Sequence, residues 1–407
     1  MPTSRLTPVL QDKLAEFKSS GRLKGAESVT RAVLPPAAGK GPRFLIEGEG
    51  DTPFLRMNSN SYLGLSFETR LMAAEEEAVR RYGAGPGAVR FISGTWKPHV
   101  DLETRLARFH GREAAMLFSS AYATVMGTLA SLITDKTLVI SDELNHSCII
   151  NGIALSRPAE KRVYKHLDYD QIVRDLGAHT QTCKRAIVIT DGVFSMRGDH
   201  ARLDRIMDIA RQFDPLYAEG VIVMADDSHG VGGFGPTGRG TEEITGASVD
   251  ILVGTLGKAF GVNGGYVTAS APVIAYLRET SPFYIYSNPI TPGEAEAAIV
   301  AVDRVDSQEG QGMLAHLRAM TAHFRDGLAR LGLETVAGEH PVVPLLVRDT
   351  DRTRRLVAHL RATGILATGL AFPVVPKGEE EIRFQISADH TVLDLDEALA
   401  ALAGFNG

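Results

Sequence analysis

Five short apolar runs, each closing on a polar or glycine-bearing turn and separated by helix-patterned stretches, constrain the fold more than any other feature. They are AAMLFSS (114–120), TLVISD (137–142), AIVITDG (186–192), VIVMADD (221–227) and DILVGTLGK (250–258). Each reads as a short buried strand. Stretches such as VDLETRLARFHG and LDRIMDIARQFD carry apolar residues at helical spacing between them. Strands alternating with helices predict a parallel sheet covered on both faces. Four of the runs lead into SSAY, SDELNH, TDGVFS and ADDSHG. Ligands of open α/β sheets sit outside the carboxyl ends of the strands. Polar side chains gathered there predict one shared site.

The flanks differ in texture. Residues 1–50 read as an amphipathic helix (Val9, Leu10, Leu14, Phe17) and the connection LPPAAGKGP, an arm too short to hold its own core. Residues 51–290 form the predicted large α/β domain. Residues 291–407 read as a smaller α+β domain. It opens on a long helical stretch from Pro292 to Leu331, followed by HPVVPLLVRD, the helix DRTRRLVAHLRATG, EEIRFQIS and a last helix with Leu393, Leu395, Ala398 and Leu399.

Composition narrows the function. With 44% hydrophobic and 23% charged residues the chain is ordinary globular protein, which argues against disorder, fibre and coiled coil. The net charge of −6, without a basic block, argues against nucleic acid and anionic membranes as partners. Asp12, Lys13, Glu16 and Lys18 stand where a signal peptide needs an apolar core, and Lys258 interrupts the near-apolar stretch Ile251 to Val267. A cytoplasmic location is expected. Cys148 and Cys183 form no CxxC, so reduced thiols and no metal site are expected.

Lys258 ends an apolar strand among Gly257, Gly261, Gly264 and Gly265. Burial there would yield the neutral amine a Schiff base needs, although an exposed loop lysine fits the segment as well. Asp226 ends another strand, where a carboxylate can pair with a protonated ring nitrogen, and His229 follows three residues on; a helix cap by Asp and Ser is the alternative. Ser119-Ser120-Ala121-Tyr122 opens a helix whose first N–H groups suit a phosphate, or simply caps it. His146 sits at a further strand end. Arg383 can bind a carboxylate bidentately or form a surface ion pair.

An anion cradle, an acid for a ring nitrogen and a strand-end lysine are together the parts for pyridoxal phosphate. The blocks SNSYLGLS, VRFISGTWKPHVDLE, LFSSAY, SDELNHSCIINGI, TDGVFSMRGD, ADDSHGVGGFGPTGRG, GTLGKAFGVNGGY, FPVVPKG and IRFQISADHT run in order from about Asn58 to His390. On them the chain resembles the α-oxoamine synthases, fold-type I pyridoxal-phosphate enzymes that condense an amino acid with an acyl-CoA. The resemblance implies a large domain with a mostly parallel seven-stranded sheet and a homodimer with its active site at the subunit interface. It gives Lys258 the Schiff base, Asp226 the pyridine nitrogen, His229 and Ser195 the phenolic oxygen, and His146 the ring face. The phosphate falls to Ser120, Ala121, Tyr122 and Thr255, with Ser287 and Asn288 reaching the neighbouring subunit's phosphate. Asn60 and Arg383 take the amino-acid carboxylate.

VRFISGT, FPVVPKG and IRFQISADHT are most similar to the family's 2-amino-3-ketobutyrate CoA ligase branch, which implies glycine and acetyl-CoA. TLGKAFGVNGGY is similar to the 5-aminolevulinate and 8-amino-7-oxononanoate branches, so a longer acyl donor, or serine, is the alternative. Ser61, Arg197, His200 and Pro289 depart from the family pattern. An aminotransferase or a non-enzymatic effector-binding module on the same fold are the rival classes.

Overall fold

The computed structural model describes residues 3–23 and 25–405. Its contacts separate two compact units, Asn60–Leu317, and Met1–Ser59 together with Arg318–Gly407. The first is built on seven strands: β1 (Ala114–Phe118), β2 (Thr137–Asp142), β3 (Glu160–Tyr164), β4 (Arg185–Asp191), β5 (Val221–Asp226), β6 (Ile251–Thr255) and β7 (Gly265–Ala269). Their spatial order is β1-β7-β6-β5-β4-β2-β3. Pairs from β6 to β3 are parallel, and β7 runs antiparallel to both β1 and β6. All five apolar runs are strands of this sheet.

Every residue of β2 is buried, so both alternating sets of side chains are covered, as a parallel sheet requires. Leu129, Ile149 and Ile153, from the helices Ala121–Leu132 and Ser147–Ser156, pack with Met116, Val139, Ile187, Met224 and Val253 of the strands. The edge strand β3 carries Glu160, Lys161 and Arg162, charges that blunt an open edge and hide it from an apolar search.

The second unit holds the helix Leu6–Ser19, none of whose residues is buried, and an antiparallel ribbon of Thr30–Leu34 with Arg43–Ile46. Its three-stranded antiparallel sheet places Glu381–Gln385 between Val342–Leu346 and Thr368–Leu370. Leu55–Arg56 pairs in parallel with Ile365–Leu366, which draws the amino-terminal segment into this unit. Boundaries near 50 and 290, expected from texture, therefore do not match the contacts. Helix Pro292–Val305 packs on Thr69–Tyr82 and Lys97–Phe109 and belongs with the large sheet. The expected single helix to Leu331 is two, Pro292–Val305 and Gln308–Arg330. Among the described residues no helix is long and apolar enough to cross a membrane.

Candidate active site

The carboxyl ends of β1, β2, β4, β5 and β6, with the turns after them, line one cavity of about 190 Å³. After β1, Ser120 starts the helix Ala121–Leu132, its Oγ accepting the Ala123 N–H at 3.1 Å. Ala121 and Tyr122, the first two residues of that helix, line the cavity, and their N–H groups have no carbonyl one turn earlier within the helix to bond. Two open donors at the positive end of a helix form an anion cradle.

After β2, His146 caps the helix Ser147–Ser156. Its Nδ1 accepts the Cys148 N–H at 3.3 Å, so the proton of the neutral ring lies on Nε2. The Cys148 Sγ is 2.9 Å from that Nδ1 and 3.5 Å from Asp226 Oδ2. At the end of β5, Asp226 is buried and its Oδ1 accepts the N–H and Oγ–H of Ser228 at 3.1 and 2.5 Å. His229 Nδ1 lies 2.6 Å from the Tyr62 hydroxyl; when that hydroxyl donates, the ring proton again sits on Nε2. The Thr255 hydroxyl donates to the Gly264 carbonyl at 3.2 Å and accepts the Gly257 N–H at 3.1 Å. Lys258, half-buried three residues past β6, lines the same cavity as Asp226.

Burial lowers the His146 pKa, Asp226 opposing the fall and Lys258 adding to it, so the ring is neutral near pH 7. Burial, reinforced by the Asp226 and Asp191 charges, raises the Cys148 thiol. Burial and then the Asp226 charge push Asp191 well above the carboxylate range, with Lys258 pulling it back. Asp191 Oδ2 accepts the His146 N–H at 3.2 Å, while Oδ1 has no partner among the described residues. Asp227, buried behind the wall, is pushed up to about 7 by burial against the N–H and hydroxyl of Thr241.

Lys258, Asp226, His229, His146, Ser195, Thr255, Ala121 and Tyr122 thus meet at one cavity, and Ser120 holds the helix that brings two of them there. Ser287 and Asn288 are not in its wall; they follow Tyr286, which is 80% exposed. Asn60 is also outside the wall, two residues before Tyr62, and Arg383 belongs to the strand Glu381–Gln385 of the other unit. Asp191, Val193 and Tyr62 were not singled out from sequence, Ser228 was named only as a possible helix cap, and Cys148 only as a reduced thiol. Four of them stand inside the same strand-end or SNSYLG motifs, and Cys148 lies two residues past His146, a spacing that puts both at one helix start.

These residues fit pyridoxal phosphate. The N–H pair at the helix start suits its phosphate, the Lys258 amine its aldehyde and the Asp226 carboxylate its ring nitrogen, while Asp191 Oδ1 is left for a polar group of the ligand. Fold and cavity together define a pyridoxal-phosphate-dependent transferase of fold type I. The class I and II aminotransferase family matches residues 52–402. The 8-amino-7-oxononanoate synthase of Geobacter metallireducens is 40% identical over 380 residues, 93% of this chain and 94% of that protein. The corresponding synthase 1 of Bacillus subtilis is 40% identical over 347 residues, 85% of this chain and 86% of the other. The solved serine palmitoyltransferase of Sphingomonas wittichii superposes with a TM-score of 0.87 at 25% identity, covering 99% of this chain and 98% of that one. The chain belongs to the α-oxoamine synthase family, with pyridoxal 5'-phosphate as its cofactor. Its reaction is the decarboxylative condensation of an amino acid with an acyl thioester. The names of these relatives do not carry the glycine and acetyl-CoA expected from three sequence blocks; they favour the longer acyl donor.

One glycine holds the cradle together. A Cβ on Gly265, the first residue of β7, would lie 2.2 Å from Ala121 N and 2.4 Å from the Ser120 carbonyl carbon. Gly265→Ala is therefore expected to destabilise the protein by about 1–3 kcal/mol and to weaken pyridoxal phosphate binding severalfold. Thermal unfolding and equilibrium dialysis check both; unchanged cofactor affinity would contradict the cradle.

Proposed function

We propose that the protein joins alanine to a seven-carbon ω-carboxyacyl thioester with loss of carbon dioxide, giving an α-amino ketone. The observation that carries this is the 40% identity to 8-amino-7-oxononanoate synthases over more than nine-tenths of both chains. That product places an amino group beside a ketone on a nine-carbon acid. Decarboxylative condensation gives this skeleton only if the amino acid supplies a methyl-bearing Cα and the thioester supplies the remaining seven carbons.

The chain's residues divide the work as follows. When bound, pyridoxal phosphate supplies an electron-accepting ring conjugated to the amino acid's Cα. Lys258 Nζ is the base that takes the Cα proton. Asp226 keeps the ring nitrogen protonated, with Ser228 holding its carboxylate in place. His146 would cover one face of the ring, and Ser195 and His229 would hold the phenolic oxygen. With the Tyr62 hydroxyl donating to its Nδ1, the His229 ring carries its proton on Nε2, the atom that would meet the thioester oxygen as charge develops there. Ala121, Tyr122 and Thr255 would hold the phosphate, and the substrate carboxylate would fall to Asn60 and Arg383. Ser287 and Asn288 serve the neighbouring subunit of a homodimer, which their position beside exposed Tyr286 favours.

The test crosses alanine, serine and glycine with acyl-CoA thioesters of rising length, including the ω-carboxylated seven-carbon donor, and measures product mass and thiol release. Alanine with that donor is expected to exceed glycine with acetyl-CoA at least tenfold in kcat/KM, the scale a few pocket contacts confer. Preference for glycine and acetyl-CoA would overturn the assignment. Amino acids that bleach the cofactor band lastingly without any thioester would instead point to transamination.

A further inference from the structure

Outside the cavity wall, His166 joins two loops that form it. Its Nδ1 lies 3.2 and 3.3 Å from the two oxygens of Asp142, the last residue of β2, and its Nε2 lies 3.2 Å from Asp199 Oδ2. Two carboxylates on opposite ring nitrogens require both nitrogens to donate, so the ring is an imidazolium. Phe194 meets the ring edge-on at 4.4 Å between centroids.

Each carboxylate anchors a loop with a cavity residue on it. Asp142 also accepts the N–H of Leu144 through Oδ1, and its carbonyl accepts Asn145 N–H, which sets the turn that delivers His146. Asp199 belongs to the loop that delivers Ser195: its carbonyl accepts the Phe194 N–H, and Val193 bridges His200. Of the other charges nearby, Arg197 pairs with Asp199 at 2.9 Å and Lys165 with Glu143 at 2.8 Å, while the buried Tyr164, Tyr169 and Asp191 also feel the Asp142 charge. Glu143 also accepts the His166 backbone N–H at 3.0 Å. We propose that His166 is a positioning residue whose doubly hydrogen-bonded cation locks the His146 and Ser195 loops together and so shapes the pyridoxal phosphate site.

This rests on the cofactor assignment and is independent of which acyl donor is used. Burial alone would lower the His166 pKa; the hydrogen bonds and charges of Asp142 and Asp199 outweigh it and carry the group up to about 9. The lock is accordingly charged through neutral pH and lost as pH rises through about 9.

The experiment measures cofactor affinity of the full-length protein from pH 6.5 to 10, together with ring-nitrogen NMR shifts of the histidines, for wild type, His166→Gln and Asp199→Asn. The expected wild type shows an imidazolium at pH 8 and an affinity that falls through about pH 9. His166→Gln should weaken cofactor at least tenfold at pH 7.5 and abolish that fall. Asp199→Asn should move the fall, and the His166 titration, to lower pH; it also decides the matter if His166→Gln does not fold. A neutral His166 at pH 7.5, or a fall left in place by Asp199→Asn, overturns the proposal. Absence of pyridoxal phosphate binding by wild type would instead refute the cofactor assignment, so the two failures are distinguishable.

Discussion

Lys258→Ala is expected to lower kcat/KM for thiol release by an amount at the upper end of the roughly 100- to 10,000-fold loss that removal of a positioned base brings. The loss is expected to be larger than for any other single residue, because the same amine both holds the cofactor and moves the substrate proton. Lys258 lines the cavity with Asp226 and is close enough to act electrostatically on Asp191 and His146. Removing it should leave phosphate binding at Ala121 and Tyr122 intact, so cofactor remains bound while its visible band shifts. Added methylamine should restore part of the rate. Retention of wild-type turnover would remove Lys258 from the mechanism.

Asp226→Asn is expected to cost on the order of 100- to 1,000-fold in kcat/KM, the scale of a lost preorganised charge in a dry site. The amide can still accept from Ser228 at the position of Oδ1, so the fold around β5 should survive. It can no longer favour a cationic ring nitrogen, and the electron demand that acidifies the Cα falls with it. Steady-state thiol release, with cofactor stoichiometry measured alongside, checks this. Full activity in the variant would mean that another group supplies the charge.

The central sheet was legible because parallel strands buried on both faces must be continuous apolar runs, and their polar ends must face solvent or a ligand. TLVISD and VIVMADD could hardly be anything else, and their ends carry His146, Asp226 and His229 into one cavity. The two strands without such runs escaped: β3 opens on three consecutive charged residues at an edge, and β7 starts on Gly265 directly after a glycine-dense loop. The unit boundary at Leu317 was hidden because Pro292–Val305 packs laterally on helices more than a hundred residues earlier, which composition does not record. Tyr62 joined the site through a hydrogen bond to a histidine 167 positions away, and Asp191 through a backbone N–H on a neighbouring strand's turn. His166 was invisible for the same reason, since its significance lies in Asp142 and Asp199 converging on opposite nitrogens of one ring.

The most direct measurement reduces the cofactor-loaded protein with borohydride, digests it and locates the pyridoxyl mass by sequencing mass spectrometry. One modified peptide, labelled at Lys258, is expected in the wild type, and no label in Lys258→Ala. A pyridoxyl group on a different lysine, or on none in the wild type, would contradict the role given to Lys258.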